Sequence, residues 1–234
     1  MRLFPALAAS LLLLPALGAP TAGLDAPLSE ETFVLVMQGH SFNLQTGLVL
    51  ETYVGDVVHF QLLVPPLAET HTFHLHGHPW LATQTGRIVD TWRLDPGEAD
   101  AFAIIAGGPD AESGDWMFHC HFASHAAAGM WGVLRVYPYR TAILAQDAAS
   151  LVVRLDRLGA PVEGAHLMLA VDGAPLGALV TPLGAGEYRV DAPLPATGVL
   201  TVMAHAPGLG ESVARVGLGG ASVPPLTLDA AMPM

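Results

Sequence analysis

Between His71 and Met130 the chain gathers seven of its eleven histidines and its single cysteine. The segment opens with His71-Thr72-Phe73-His74-Leu75-His76-Gly77-His78 and closes with His119-Cys120-His121, then His125 and Met130. Imidazole and thiolate are borderline-to-soft ligands, and together they suit copper or zinc. Tetrahedral zinc held by cysteine and histidine is common. A thioether is a poor zinc ligand, so Met130 turns the choice to copper. A stray His-x-His pair is ordinarily surface or core decoration; two such pairs beside a cysteine, a further histidine and a methionine ask for a chemical reason.

Strand alternation sorts these donors. Successive side chains of a strand point to opposite faces. If residues 70–78 are extended, His74, His76 and His78 share one face and His71 takes the other. If residues 117–122 are extended, His119 and His121 share a face and Cys120 takes the other. Two groups result, back to back. His71, Cys120, His125 and Met130 form the donor set of a blue-copper electron-transfer centre, with Met130 as the weak axial ligand. His74, His76, His119 and His121 form a cluster of four imidazoles. Cys120 lies covalently between two members of that cluster, which gives a through-bond path from its sulfur to the second group.

Both motifs, HTFHLHGH (71–78) and HCHFASHAAAGM (119–130), resemble those of the multicopper oxidases, most closely the last cupredoxin domain of the two-domain small laccases. The resemblance runs over residues 33–139 and includes the intervening GRIVDTWRL, AFAIIAGG and GDWMF stretches. It implies that His71, Cys120, His125 and Met130 hold a type 1 copper. His74 then serves a type 2 copper, and His76, His119 and His121 serve a type 3 pair, with His119, Cys120 and His121 as the electron path. The complete three-copper cluster of that family takes eight histidines from four His-x-His pairs on two domains. This chain supplies two of those pairs, half a cluster, and His40, His59, His166 and His205 stand alone. In the resembling family the cluster lies between domains, and two-domain members assemble as trimers to complete it. The partners expected are therefore dioxygen, a small reducing substrate or redox protein, and a homo-oligomer or separate domain that supplies further His-x-His pairs.

The remaining composition narrows the field. With 234 residues, 52% hydrophobic and 13% charged, the chain has ample length for one or two cores and is not of disordered type. The net charge is −12 and all nine basic residues are arginine, so no basic patch invites nucleic acid. The acidity favours cationic or neutral substrates. Residues 1–18 read as a secretory signal: Arg2, an apolar run from Leu3 to Leu14, and a small-x-small site at Ala16-Leu17-Gly18. That places the protein outside the cytoplasm, periplasmic or extracellular, with no membrane span expected. A lone thiol in an oxidising space is exposed to oxidation, and burial as a metal thiolate removes that liability.

Many short strands, Gly/Pro turns and almost no helical period point to an all-β chain. A flexible leader is expected at residues 19–30, a cupredoxin-like Greek-key β-sandwich at 31–139, and a smaller immunoglobulin-like β-sandwich at 148–234. In the first sandwich, strands are expected at Thr32–Met37, Leu48–Val54, Asp56–Val64, Leu81–Thr91, Ala101–Ile105, Trp116–His121 and Gly132–Tyr137. Phe122–Met130 is expected to be a ligand loop. His78 is expected to orient a ligand rather than to be one. Met37, Met117, Met168 and Met203 read as core residues, His40, His59, His166 and His205 as ordinary ones, and Met232–Met234 as a loose tail. The function expected is that of a copper oxidoreductase, laccase-like, reducing dioxygen to water. The alternatives are a single-copper electron-transfer or copper-carrying cupredoxin without oxidase activity, and a non-catalytic binding module.

Overall fold

The computed structural model describes residues 29–228. The expected signal at 1–18, nearly all of the leader and the Met232–Met234 tail lie outside them. The described chain is built almost wholly of strands. The first sandwich contains β1 (Glu30–Gln38), β2 (Ser41–Phe42), β3 (Leu48–Tyr53), β4 (Val57–Leu63), β5 (His71–Leu75), β6 (Trp80–Ala82), β7 (Arg87–Val89), β8 (Thr91–Leu94), β9 (Ala99–Ile105), β10 (Gly114–Cys120), a short helix α1 (Ala123–Ala127) and β11 (Trp131–Tyr137). One of its sheets has the order β2-β1-β4-β9, and the sheet opposite contains β3-β11-β10-β5-β8.

Alternation builds the core between these sheets. Along β4, Val58, Phe60 and Leu62 are buried, while His59, Gln61 and Leu63 turn outward. From the facing sheet come Phe73, Leu75, Phe118, Leu134 and Val136. The rings interlock: Phe60 lies 5.8 Å from Phe73, and Trp80 stacks on Phe102 at 4.1 Å. Aromatic pairs at such distances add roughly 0.5–1.5 kcal/mol each beyond their area. The result is a rigid wall on which β5 and β10 run side by side.

Several local expectations change. Residues 81–91 are not one strand: β6 and β7 form a hairpin, and Gly86 takes a positive φ in its turn. The ligand loop contains the one-turn helix α1. The extended run expected through residue 78 stops at Leu75. Gly77 has a φ of +67°, and a Cβ there would meet the Trp116 ring at 2.2 Å, so the chain turns where only glycine fits.

The second sandwich contains β12 (Arg140–Gln146), β13 (Ser150–Arg157), β14 (Ala160–Pro161), β15 (His166–Val171), β16 (Ala174–Leu176), β17 (Leu179–Gly184), β18 (Glu187–Asp191), β19 (Gly198–Ala206) and β20 (Gly210–Leu218). Its sheets have the orders β12-β13-β18-β17 and β16-β15-β19-β20, and its core is centred on Leu151, Val153, Leu169, Tyr188, Val190, Leu200 and Val202. It starts earlier than position 148, because residues 140–146 pair with β13. Nor does it keep the whole C-terminal stretch. The last strand, β21 (Leu226–Thr227), returns to the first sandwich and pairs with β3. The two bodies are joined further by Arg215 on Glu51, by Arg140 on Asp56, and by Tyr53, which donates to the Val213 carbonyl at 2.8 Å. Of the four methionines read as core, only Met37 lies in one: Met168 is 53% exposed, and Met117 and Met203 are half-buried outside both core clusters.

Candidate metal centre

β5 and β10 are antiparallel neighbours, with Cys120 opposite Phe73 and His119 opposite His74. Phe73, Phe118 and Cys120 face the core, and so does His71, two positions before Phe73. His74 and His119 occupy the other face as a directly opposed cross-strand pair. α1 then returns His125 to the end of the sandwich, 8% exposed, beside His71 and Cys120, which are fully buried.

The three donor atoms meet. Cys120 Sγ lies 3.9 Å from His71 Nδ1 and 3.5 Å from His125 Nδ1, and the two nitrogens are 3.3 Å apart. A triangle of those sides has a point about 2.1 Å from every corner, close to ordinary metal–nitrogen and metal–sulfur lengths. Met130 is also fully buried, and its carbonyl accepts the Cys120 N–H at 3.1 Å. Thr72 N–H donates to the sulfur at 3.5 Å. Burial pushes the Cys120 thiol pKa up and the His71 pKa down, the latter helped by the neighbouring His125. A buried thiolate needs a cation beside it, and neutral imidazoles are ready to ligate one. The donor set thus fits a copper ion.

Four imidazoles gather on the outer face. Ring centroids are 4.8 Å apart for His74 and His76, and 5.3 Å for His74–His119, His74–His121 and His76–His119. His119 and His121 stack at 5.6 Å. His76 Nε2 and His119 Nε2 approach to 3.2 Å. His74 donates from Nδ1 to the Asp90 carbonyl at 2.8 Å, and His119 from Nδ1 to the Cys120 carbonyl at 2.9 Å. A carbonyl only accepts, so both rings leave Nε2 free to bind a metal. The buried group therefore presents Nδ1 atoms to its centre, whereas in the outer group His76 and His119 meet through Nε2; the donor atoms of His74, His76 and His119 lie within 4.8 Å of one another, and His121 joins them only by its ring.

His78 leaves the face on which alternation placed it. Past the Gly77 turn it points inward, 2% exposed, with its ring 4.8 Å from that of Trp116. Nδ1 donates to the His76 carbonyl at 2.9 Å, and Nε2 accepts the Gly107 N–H at 3.0 Å. It ties the His76 backbone to the 105–112 loop. His78→Ala leaves both groups unpaired in a buried place, at about 1–3 kcal/mol each; urea unfolding of the metal-free protein reads the loss. A pH effect accompanies it. Burial lowers the pKa values of His71, His78 and His119. The unfolded chain takes up these protons near pH 6.5 and the folded chain only below that. Stability of the metal-free protein is thus full above about pH 6.5 and declines as pH falls further. A flat urea midpoint between pH 7 and pH 5 would contradict this.

Two residues near the buried group escaped the sequence reading. Glu69 Oε2 lies 3.5 Å from His125 Nε2, and Glu69 Oε1 lies 3.6 Å from His40 Nε2. His40 also packs its ring 5.0 Å from that of His125. The one available signal was the place of Glu69, two positions before His71. His40 arrives from the distant β1–β2 turn. The carboxylate sits at the outer nitrogen of a ligand candidate, where it can orient the imidazole.

Comparison with known proteins agrees with the chemistry. The family model described as multicopper oxidase matches residues 25–140. A probable nitrite reductase-hydroxylamine oxidoreductase fusion protein of Kuenenia stuttgartiensis is 37% identical over 83 residues, covering 36% of this chain and 10% of its own length. A laccase of Arthroderma benhamiae is 37% identical over 79 residues, covering 27% of this chain and 12% of its own. Among solved structures, a variant of the McoA multicopper oxidase from Aquifex aeolicus superposes with a TM-score of 0.39 at 22% identity, over 47% of this chain and 29% of that one. The chain thus spans about a tenth of the length of the curated relatives it matches. Through its first, cupredoxin-like sandwich, with copper as the metal this implies, the chain belongs to the multicopper oxidase family.

Proposed function

We propose that this chain is an exported laccase-like oxidoreductase that takes single electrons at the His71–Cys120–His125 centre and reduces dioxygen at a cluster completed by another subunit. The observation that carries this reading is the placement of Cys120. Its sulfur completes the buried triangle, while its two chain neighbours, His119 and His121, belong to the outer four. Copper, when bound, supplies one-electron oxidation at the first group and, at a completed three-copper cluster, reduction of dioxygen to water.

The chain's own residues do the rest. His71, Cys120 and Met130 keep the first group free of water, since all three are fully buried. His125 reaches the surface at its Nε2 edge, where Glu69 makes the approach acidic. That favours a cationic or neutral reductant, either a small molecule or a redox protein. His74 and His119 hold their Nδ1 protons on backbone carbonyls and so leave Nε2 free to ligate. The outer group has four histidines, and a twofold contact between copies would bring a second four against it. The signal read at residues 1–18 supports export, and no helix of the described residues is long and apolar enough to cross a membrane.

A single-copper electron carrier is the second reading. It is favoured by one fact: among the described residues no further histidines join the outer group. Oxygen uptake separates the two. The copper-loaded protein should consume oxygen with a one-electron donor, and the His74→Ala/His76→Ala double variant should lose this uptake while keeping its blue colour. Bleaching of the blue centre in the folded double variant would show that the two groups are not independent. Absence of uptake by the unaltered protein would favour the carrier.

A further inference from the structure

The second sandwich carries a set of donors that the oxidase reading does not use. In the sheet β16-β15-β19-β20, His166 lies directly opposite His205, and Met168 directly opposite Met203. Alternation fixes their side. Leu167, Leu169, Val202 and Ala204 are buried in the core, so the four residues between them project from the opposite, outer face. His166, Met168 and His205 are exposed and Met203 is half-buried. On the next strand Glu211 stands opposite His205, with its neighbour Ser212 fully buried, so its carboxylate shares the outer face.

Directly opposed residues of an antiparallel pair have Cβ atoms about 4.5–5.5 Å apart, and diagonal neighbours about 7–8 Å. The four side chains thus form a block two strands wide and two positions deep. Methionine is unbranched with three rotatable bonds, so a soft ion can draw its sulfur across a block of this size by side-chain rotation. A single exposed methionine needs no explanation. Here, however, the one exposed methionine among the described residues faces a second methionine, and next to them two histidines face each other. Two thioethers with two imidazoles form a soft donor set, suited to copper(I) and poorly suited to zinc, magnesium or calcium.

We propose that this face is a separate copper(I)-binding site, formed by His166, Met168, Met203 and His205, which holds a soft monovalent ion apart from the redox centres of the first sandwich. Its occupant is cargo: no electron transfer is required of it. Methionine on such a surface is open to oxidation, and a bound soft cation occupies the sulfur lone pairs that an oxidant attacks.

The test uses the full chain already loaded with copper and adds silver(I), a redox-inert stand-in for copper(I). Silver should bind in one further equivalent per chain, and the blue absorption should not change. In the Met168→Leu/Met203→Leu variant, and separately in His166→Ala/His205→Ala, that equivalent should be lost with blue colour and oxygen uptake preserved. With methyl-labelled methionine, the Met168 and Met203 signals should shift together on adding silver while Met37 stays still. Equal silver uptake by all three proteins, or Met168 and Met203 signals that do not move, would overturn the site.

Discussion

Cys120→Ser should turn the copper-loaded protein from intense blue to colourless. The expectation follows from the donor triangle. The strong visible absorption of a blue site comes from a copper(II)–thiolate bond, and Cys120 is the chain's only thiol. A serine oxygen in its place is a hard donor and stays protonated. His71 and His125 alone then hold the ion weakly. The fold should survive, because serine is nearly the same size and Thr72 N–H, 3.5 Å from the sulfur, can donate to the new hydroxyl. Oxygen uptake should fall to background in the same variant, since the shortest covalent path between the two groups starts at that sulfur, whose residue is bonded directly to His119 and His121. A visible spectrum and copper content unchanged from the unaltered protein would remove the assignment of this centre.

Much of this geometry was legible in the residues because ligand spacing and strand alternation are both local. His119, Cys120 and His121 alternate on and after β10, and His71 and His74 alternate on β5, so one face gathers the thiol with two imidazoles and the other gathers imidazoles alone. What alternation could not foresee was where it stops. The Gly77 turn sends His78 into the interior, which makes it a buried tie between two loops. Glu69 and His40 were missed for another reason: their meeting with His125 depends on how separate loops close over the end of the sandwich. The same limit hid β21, whose pairing with β3 spans nearly the whole described chain. Met168 read as core because methionine usually is; only the register with β19, with Leu167 and Leu169 turned inward, shows it outside.

The second large effect concerns assembly. The outer group presents His74, His76, His119 and His121, with His76 exposed and His74 partly so. On this face the Nε2 atoms of His76 and His119 meet at 3.2 Å. On the proposed reading these histidines are half of a cluster that an interface completes; the second sandwich is held to the first by Arg215 on Glu51 and by β21. Dioxygen reduction should therefore depend on association. At a concentration low enough to separate the subunits, oxygen uptake per chain should collapse, while the blue colour, which needs one chain alone, should persist.

The most direct test of the shared cluster is to weigh the copper-loaded protein in solution, count copper per chain, and follow oxygen uptake on that same sample. The account expects an oligomer, of this chain or with a second His-x-His domain, that holds more than one copper per chain and loses uptake on dissociation. A strict monomer with full laccase-like turnover would contradict it.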